Sequence, residues 1–175
     1  ASFRFVEGAQ VTFEDLWFKV GGNYTTLLLW NSSDIICKQV YFEATTPTNN
    51  EFFIYMDTHS KMTLDGVGMK VPEKHQSVIG MSASELSIQN STIFSKIDLS
   101  EGSKLTLENV HIEKFGNNTI HAKDSEVIAK NSTITGGDLE KDFPPVWLRN
   151  VIWESENCKI ELPTGTGVCL DNNVQ

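Results

Sequence analysis

The chain has 175 residues and a formal net charge of −9 at pH 7. This acidity argues against nucleic acid and anionic membrane surfaces as partners, because both attract clusters of Lys and Arg. The apolar blocks, such as Leu27–Trp30, are far shorter than the roughly 20 residues of a transmembrane helix. We therefore expect one domain, with no nucleic-acid partner and no membrane insertion by this segment.

An eight-residue pattern, apolar–x–apolar–x–turn–apolar–x–apolar, recurs six times along the chain. Successive copies start 24, 27, 24, 19 and 22 residues apart, and repeats of this length are typical of solenoids. Each copy contains two stretches with the period of a β-strand, joined by a bend. The patterned positions are Val11/Phe13/Leu16/Phe18, Ile35/Cys37/Val40/Phe42, Met62/Leu64/Val67/Met69, Leu86/Ile88/Ser91/Ile93, Leu105/Leu107/Val110/Ile112 and Val127/Ala129/Ser132/Ile134.

A further pair of alternating residues, mostly apolar, precedes each copy, which adds a third short strand to every coil. These pairs are Phe3/Phe5, Leu27/Leu29, Ile54/Met56, Ile79/Met81, Ile97/Leu99 and Ile120/Ala122. Three short strands per coil are what a right-handed parallel β-helix requires. The predicted fold class is therefore all-β, a solenoid of about six to seven coils with an irregular C-terminal end.

The bend inside each copy carries residues that tolerate a left-handed backbone or hydrogen-bond to it locally. In chain order this column is Asp15, Gln39, Gly66, Asn90, Asn109 and Asn131. Stacked Asn amides can also hydrogen-bond to one another along the solenoid axis.

The stretches ELSIQNSTI, KLTLENVHI and EVIAKNSTI resemble the parallel β-helix repeats of the pectate-lyase-like superfold. The resemblance covers roughly residues 3–135. It implies the architecture rather than one function, because that superfold hosts polysaccharide lyases and hydrolases, phage tailspikes and bacterial surface passengers. Function must be argued from a site.

The regular coils are predicted over residues 1–137, and residues 138–175 form an irregular last coil and a tail. Two prolines within DLEKDFPPVWLRN exclude a central strand at that point. At the amino end, Phe3 and Phe5 already follow the inward pattern without a preceding cap. We expect either continuation into a longer β-helix or packing of an end on a partner, including self-association.

The three cysteines do not form a disulfide framework. Cys37 occupies an inward position and is expected to be a small buried residue. Cys158 and Cys169 flank a turn-rich segment, IELPTGTG, which could fold back and allow a disulfide in an oxidising compartment. The alternative is two free thiols. Asn-x-Ser/Thr sequons occur at Asn23, Asn31, Asn90, Asn117 and Asn131, and we interpret them as by-products of the bends and of abundant Ser and Thr.

Long polar loops interrupt only the first three coils, all after the third strand. They are Val20–Thr26, Ala44–Phe52 and Val71–Gln76, and the equivalent connection in the fourth coil shrinks to Ser95–Lys96. Insertions on one face of a solenoid often mark its binding face.

The outward positions of the first strand are where enzymes of this superfold commonly place their site. One column contains Arg4, Leu28, Tyr55, Gly80, Asp98 and His121; the other contains Val6, Trp30, Asp57, Ser82, Ser100 and Lys123. We expect Trp30, Tyr55 and Asp57 to lie close together beside the long loops. Aromatic rings can stack on the apolar face of a sugar while a carboxylate accepts hydrogen bonds from its hydroxyl groups. The alternative is an exposed column partly covered by loops.

Catalytic signals are weak. Asp57 and Asp98 lie two coils apart, roughly 9.6 Å by strand stacking, at the limit of the roughly 5–9.5 Å that glycosidase carboxylates span. The paired-Asp, Gly-His-Gly and Arg-x-Lys signatures of pectin-degrading hydrolases are absent. The histidines His59 and His75 have no metal-ligand spacing. We predict no catalytic residue, no metal site and no cofactor.

The sequence favours a non-catalytic module of an extracellular or cell-surface protein, adhesin-like and of the autotransporter passenger type. Its loops would bind a host surface glycan or protein. Two alternatives stay open: a tailspike-like or lyase-like β-helix that binds or degrades polysaccharide, and a purely structural spacer.

Overall fold

The structure is a computed structural model that describes residues 3–20, 27–44, 52–70, 78–115, 118–137, 144–161 and 168–171. Every helix or strand assigned within these ranges is a β-strand, and neighbouring strands pair in parallel throughout, as in β1 with β4 and β16 with β18. The chain therefore folds as a parallel β-solenoid, which confirms the predicted fold class.

One turn of the solenoid, here called a rung, contains a first, a second and a third strand, and each kind forms its own stack. The first stack contains β1 (Phe3–Phe5), β4 (Leu27–Leu29), β7 (Phe52–Met56), β10 (Val78–Ser82), β13 (Lys96–Ser100), the first parts of β16 (Ile120–Lys130) and β18 (Val146–Glu156), and β20 (Val168–Asp171). The second contains β2 (Gln10–Glu14), β5 (Asp34–Lys38), β8 (Lys61–Asp65), β11 (Glu85–Gln89), β14 (Lys104–Glu108) and the remainder of β16 and β18. The third contains β3 (Trp17–Val20), β6 (Tyr41–Ala44), β9 (Gly68–Lys70), β12 (Thr92–Ile93), β15 (His111–Phe115), β17 (Thr133–Gly137) and β19 (Lys159–Glu161).

The long strands β16 and β18 run through the first bend of their rungs. They join the first and second stacks into one 13-stranded sheet, while the third stack is a separate 7-stranded sheet. The chain re-enters the ladder at Val146, directly after the two prolines. The division at residue 137 stays a prediction, because residues 138–143 lie outside the described residues.

The strand registers confirm the predicted inward columns. Phe18, Phe42, Met69, Ile93, Ile112 and Ile134 are successive partners in the third stack. Five rungs, over residues 27–44, 52–70, 78–93, 96–115 and 120–137, have fully buried inward side chains.

The solenoid has about five closed turns, compared with the six to seven coils that were predicted. The difference lies in the outermost rungs, which are present as strands but are incompletely covered. Phe3 and Leu16 in the first rung are each 42% exposed, because no described rung lies beneath them. In the last rung, burial ends after Val151.

The predicted bend column is confirmed. All six residues have positive φ, between 49° and 65°, and Asn157 extends the series with φ 53°. The predicted amide ladder also forms in part: Nδ2 of Asn109 donates to Oδ1 of Asn90 at 3.3 Å, and Nδ2 of Asn90 donates to Oδ1 of Asp65 at 3.0 Å. At Gly66, a Cβ atom would come within 2.1 Å of the Gln39 amide nitrogen, so glycine provides both the bend and the space for that amide.

A second left-handed column, between the first and second strands, was not predicted. It contains Glu7, Asn31, Ser32, Thr58, His59, Ala83, Glu101, Asp124 and Asn150. Buried serines follow these bends, and their hydroxyl groups donate to bend carbonyls, as from Ser33 to Trp30 at 2.7 Å and from Ser103 to Ser100 at 2.6 Å. Such bonds give the backbone acceptors at the bend a side-chain donor.

The described cysteines are free thiols. Cys37 is fully buried, as predicted, and burial raises the pKa of its thiol to about 12. Cys158 is also free, and its Sγ donates to the carbonyl of Glu156 at 3.4 Å. The side chain of Cys169, its predicted disulfide partner, lies outside the described residues. Cys169 is paired with Trp147 in the first stack, whereas Cys158 follows the second bend.

The inward register predicts a large difference between two adjacent positions. Leu107→Asp should destabilise the fold by about 3 kcal/mol or more, because it places an unpaired charge at a fully buried position. Thr106→Asp, on the outward side of the same strand, should change stability far less. Thermal melting followed by circular dichroism compares the two variants; similar melting temperatures would show that the register is wrong.

The second bend predicts a difference between two substitutions at Asn109. Asn109→Val should lower stability by about 1 kcal/mol or more, because β-branched residues resist a positive φ. Asn109→Gly should be tolerated far better, since glycine adopts this conformation readily. Urea denaturation measures both; equal losses would assign the effect to the amide ladder instead of the backbone.

Candidate functional site

The outer face of the first stack aligns side chains of different chemistry in one column. The registers make Leu28, Tyr55, Gly80, Asp98, His121 and Trp147 successive partners. Alternate residues of a strand point to opposite faces. Since Ile54, Met56, Ile79 and Met81 are buried, this column faces outward.

Gly80 opens a gap in this column, because it has no side chain to fill the space between Tyr55 and Asp98. A groove of about 450 Å³ lies there, and its lining includes Leu28, Tyr55, Gly80, Ser82, Asp98 and Ser100. We call it the outer groove. Its walls combine an aromatic ring, two hydroxyl groups and a carboxylate, which can contact both the apolar and the hydroxylated parts of a ligand.

Asp98 is held in place by two cationic or potentially cationic neighbours. Nζ of Lys96 lies 3.0 Å from Oδ2 of Asp98, and Nδ1 of His121 lies 2.6 Å from Oδ1. The His121 ring in turn packs on Trp147 at 4.4 Å between centroids. Burial raises the pKa of Asp98, but the hydrogen bond from His121 and the charge and hydrogen bond of Lys96 outweigh this effect and lower it. Asp98 is therefore an ionised hydrogen-bond acceptor at neutral pH.

The three predicted ligand-binding residues occupy different parts of this face. Tyr55 lines the outer groove. Burial raises the pKa of the Tyr55 hydroxyl, and the charges of Asp57 and Glu101 add to this effect. Trp30 is 38% exposed, and the guanidinium of Arg4 lies 5.5 Å from its ring centroid. The structure thus brings Tyr55 and Asp57 together, whereas Trp30 is not part of the described groove lining.

The loops that were expected to flank this site lie outside the described residues over 45–51 and 71–77. Their role in binding stays a prediction. His75, one of the two histidines considered for metal binding, also lies in this part of the chain.

Several groups at the groove were not predicted as site residues. Asp98 and His121 were neighbours in one predicted outward column. Lys96 lies two residues before Asp98 and therefore on the same face of the strand. The period of two along the strand could thus have identified these three residues as one cluster. The hydrogen bond from Ser82 Oγ to Glu101 Oε2, 2.7 Å long, left no such signal, because it depends on the unpredicted first bend.

Another surface with exposed aromatic side chains lies on the third stack and contains Trp17 and Tyr41. Trp17 is 67% exposed, and its ring makes an edge contact with Tyr41 at 6.0 Å. The Tyr41 ring lies over Gly68, where a Cβ atom would approach to 2.7 Å. The sequence did not indicate this pair as a site, because binding residues were predicted only at the outward positions of the first strand.

The described residues provide little for other kinds of site. Within them, no group of three or more His, Cys, Asp or Glu side chains is arranged to hold a metal ion. None of the described segments is a helix with the length and apolar character needed to cross a membrane. Asp57 and Asp98 stand in different outward columns, and Asp98 is already bound to Lys96 and His121.

Comparison with known proteins gave no relative. No protein-family model, no curated protein and no solved structure matches this chain. The β-solenoid fold therefore rests on the structure itself.

The lowered pKa of Asp98 predicts a pH-dependent contribution to stability. In the unfolded chain Asp98 titrates at its ordinary pKa of about 3.9, so its stabilising contribution is present above that pH and is lost as the pH falls toward the lower folded-state pKa. Asp98→Asn should therefore reduce the free energy of unfolding more at about pH 7 than at about pH 3. Chemical denaturation at both pH values measures this; an equal loss at both would contradict the ionised Asp98.

Proposed function

We propose that this β-helix is a non-catalytic carbohydrate-binding module of an extracellular or cell-surface protein, with the outer groove as its binding site. The observation that carries the proposal is the groove over Gly80, between Tyr55 and the anchored carboxylate of Asp98. Its volume falls within the range of about 300–1,000 Å³ typical of small-ligand sites.

The chemistry of the groove matches a sugar. The Tyr55 ring can stack on the apolar face of a pyranose, because aromatic rings offer a flat apolar surface. The Ser82 and Ser100 hydroxyl groups can donate and accept hydrogen bonds, and ionised Asp98 accepts strong ones. The resemblance of the repeats to the pectate-lyase-like superfold, which contains many polysaccharide-active proteins, supports the same ligand class.

The state of Asp98 does not suit the proton-donating role in glycoside hydrolysis. Glycosidases need one carboxylic acid with a raised pKa to protonate the leaving group. In Asp98, His121 and Lys96 lower the pKa instead. A module of this kind suits an adhesin-like surface protein, because a stiff rod with its backbone paired from rung to rung presents a rigid binding face.

The proposal predicts the effect of removing both aromatic side chains. The double variant Trp30→Ala/Tyr55→Ala should abolish binding on a glycan array, since Tyr55 lines the outer groove and truncating an aromatic hot spot costs about 2 kcal/mol or more. Its melting temperature should stay near that of the unaltered protein, because both rings are partly exposed. A parallel assay of reducing-sugar release should detect no hydrolysis.

The matched control is Lys38→Ala/Glu108→Ala, in the outward column of the second stack, which should bind normally. Normal glycan binding by the aromatic double variant would refute the site. Sugar release by the unaltered protein would favour the polysaccharide-degrading alternative. Failure of the unaltered protein to bind any glycan would favour a structural spacer.

A further inference from the structure

The outer surface of the fourth rung is recessed at its first strand and first bend, because the outward residues there are small. Gly80, Ser82 and Ala83 succeed one another along this rung, while the larger Tyr55 precedes them in the third rung and Asp98 follows in the fifth. The result is a depression lined along this rung by Gly80 and Ser82, and in the neighbouring rungs by residues that include Tyr55 and Asp98.

A second hollow continues this depression around the first bend. Its volume is about 310 Å³, and its lining includes His59, Lys61, Ala83, Glu85, Glu101 and Gly102. We call it the bend hollow. Ser82 and Ser100 line the outer groove, and the residues that directly follow them, Ala83 and Glu101, line the bend hollow. The two cavities therefore adjoin along the chain.

From this geometry we propose that the two cavities form one cleft, which takes an extended, non-acidic oligosaccharide lying along the fourth rung and around its bend. This inference rests on the proposed function, that the outer groove binds carbohydrate. It adds the direction of the ligand chain, a preference for chains longer than two sugar units, and the exclusion of acidic sugars.

The junction of the two cavities suits a hydroxylated ligand. The hydrogen bond between Ser82 and Glu101 crosses from the fourth to the fifth rung at this point and is exposed to solvent. Its two groups are a hydroxyl and a carboxylate, and a sugar hydroxyl can replace either partner with the same kind of bond.

The charges along the cleft disfavour uronic acids. Asp98 lines the outer groove and Glu101 lines the bend hollow, so a carboxylate faces each part of the cleft. Lys61, the cation of the bend hollow, is paired with Glu85 at 3.0 Å. A carboxylate on the ligand would meet like charges, whereas a neutral or amine-bearing sugar would not.

A peptide fits the cleft less well than a sugar. Extended peptides usually bind by adding a strand to an unpaired sheet edge. Here β10 and β11 of the fourth rung are paired on both sides, so their ladder groups are already used. Recognition must come from side chains, and those present are an aromatic ring, hydroxyl groups and carboxylates.

The test uses the full chain and matched disaccharides and tetrasaccharides of glucan, chitin, chitosan, xylan, mannan and polygalacturonate. Isothermal titration calorimetry measures each Kd. For the sugars that bind, the tetrasaccharide should bind about tenfold more tightly than the disaccharide, and the polygalacturonate pair should not bind.

The diagnostic variant is His59→Asn/Lys61→Gln, which alters two residues that line the bend hollow but not the outer groove and keeps at position 59 a residue that tolerates a left-handed backbone. It should lose the advantage of the tetrasaccharide and keep the disaccharide affinity. Asp124→Asn is the matched control: it removes one carboxylate from the same bend one rung further on, and it should retain the full dependence on chain length.

The outcomes separate this inference from the proposed function. If the unaltered protein binds disaccharide and tetrasaccharide equally, or the double variant keeps the advantage of the tetrasaccharide, the extended cleft is wrong while the outer groove stands. Tight binding of polygalacturonate would overturn the charge argument and thus the proposal. If no sugar of any class binds, the proposed function fails as well.

Discussion

The structure depends on one constraint, the parallel pairing of every strand with its equivalents in the neighbouring rungs. Because this pairing joins residues at equivalent positions, it creates columns that run the length of the solenoid. Inward columns such as the one from Phe18 to Ile134 form the core. A slip of one residue would turn a whole column outward, so the apolar alternation fixes the register. The bends must then occur at the same place in each rung, which the left-handed residues make possible.

The same constraint determines how a binding site can arise. Outward columns bring residues about 20 positions apart into neighbouring rungs, so the shape of the surface depends on the relative size of side chains in successive repeats. Gly80 leaves a depression because Tyr55 and Asp98 flank it. The anchoring of Asp98 by His121 follows from the same alignment. One small residue and its partners in the neighbouring rungs are thus sufficient to make the outer groove.

The inner columns could be predicted from sequence because apolar residues repeat with a period of two, and the second bend because Asn, Asp and Gly indicate a left-handed backbone. The first bend could not be predicted in this way, since Glu7, Thr58 and Ala83 are not residue types that indicate positive φ. The bend hollow depends on that bend and was therefore missed as well. Tyr55 and Asp57 were selected for their chemistry, but the groove itself depends on the absence of a side chain at Gly80, which only the aligned registers reveal.

The outer groove is built on paired strands, and this rigidity affects how tightly it could bind a ligand. The described walls belong to paired strands and their bends, and Asp98 is fixed by two hydrogen bonds rather than extended into solvent. A preorganised site loses little conformational freedom when a ligand enters, so a larger share of the contact energy appears as affinity. The same alignment positions the charged groups: Lys96 and His121 bind the two carboxylate oxygens of Asp98, and Glu101 adds a second carboxylate in the adjoining bend hollow. Rigid alignment therefore provides the preorganised surface that the proposed carbohydrate recognition requires.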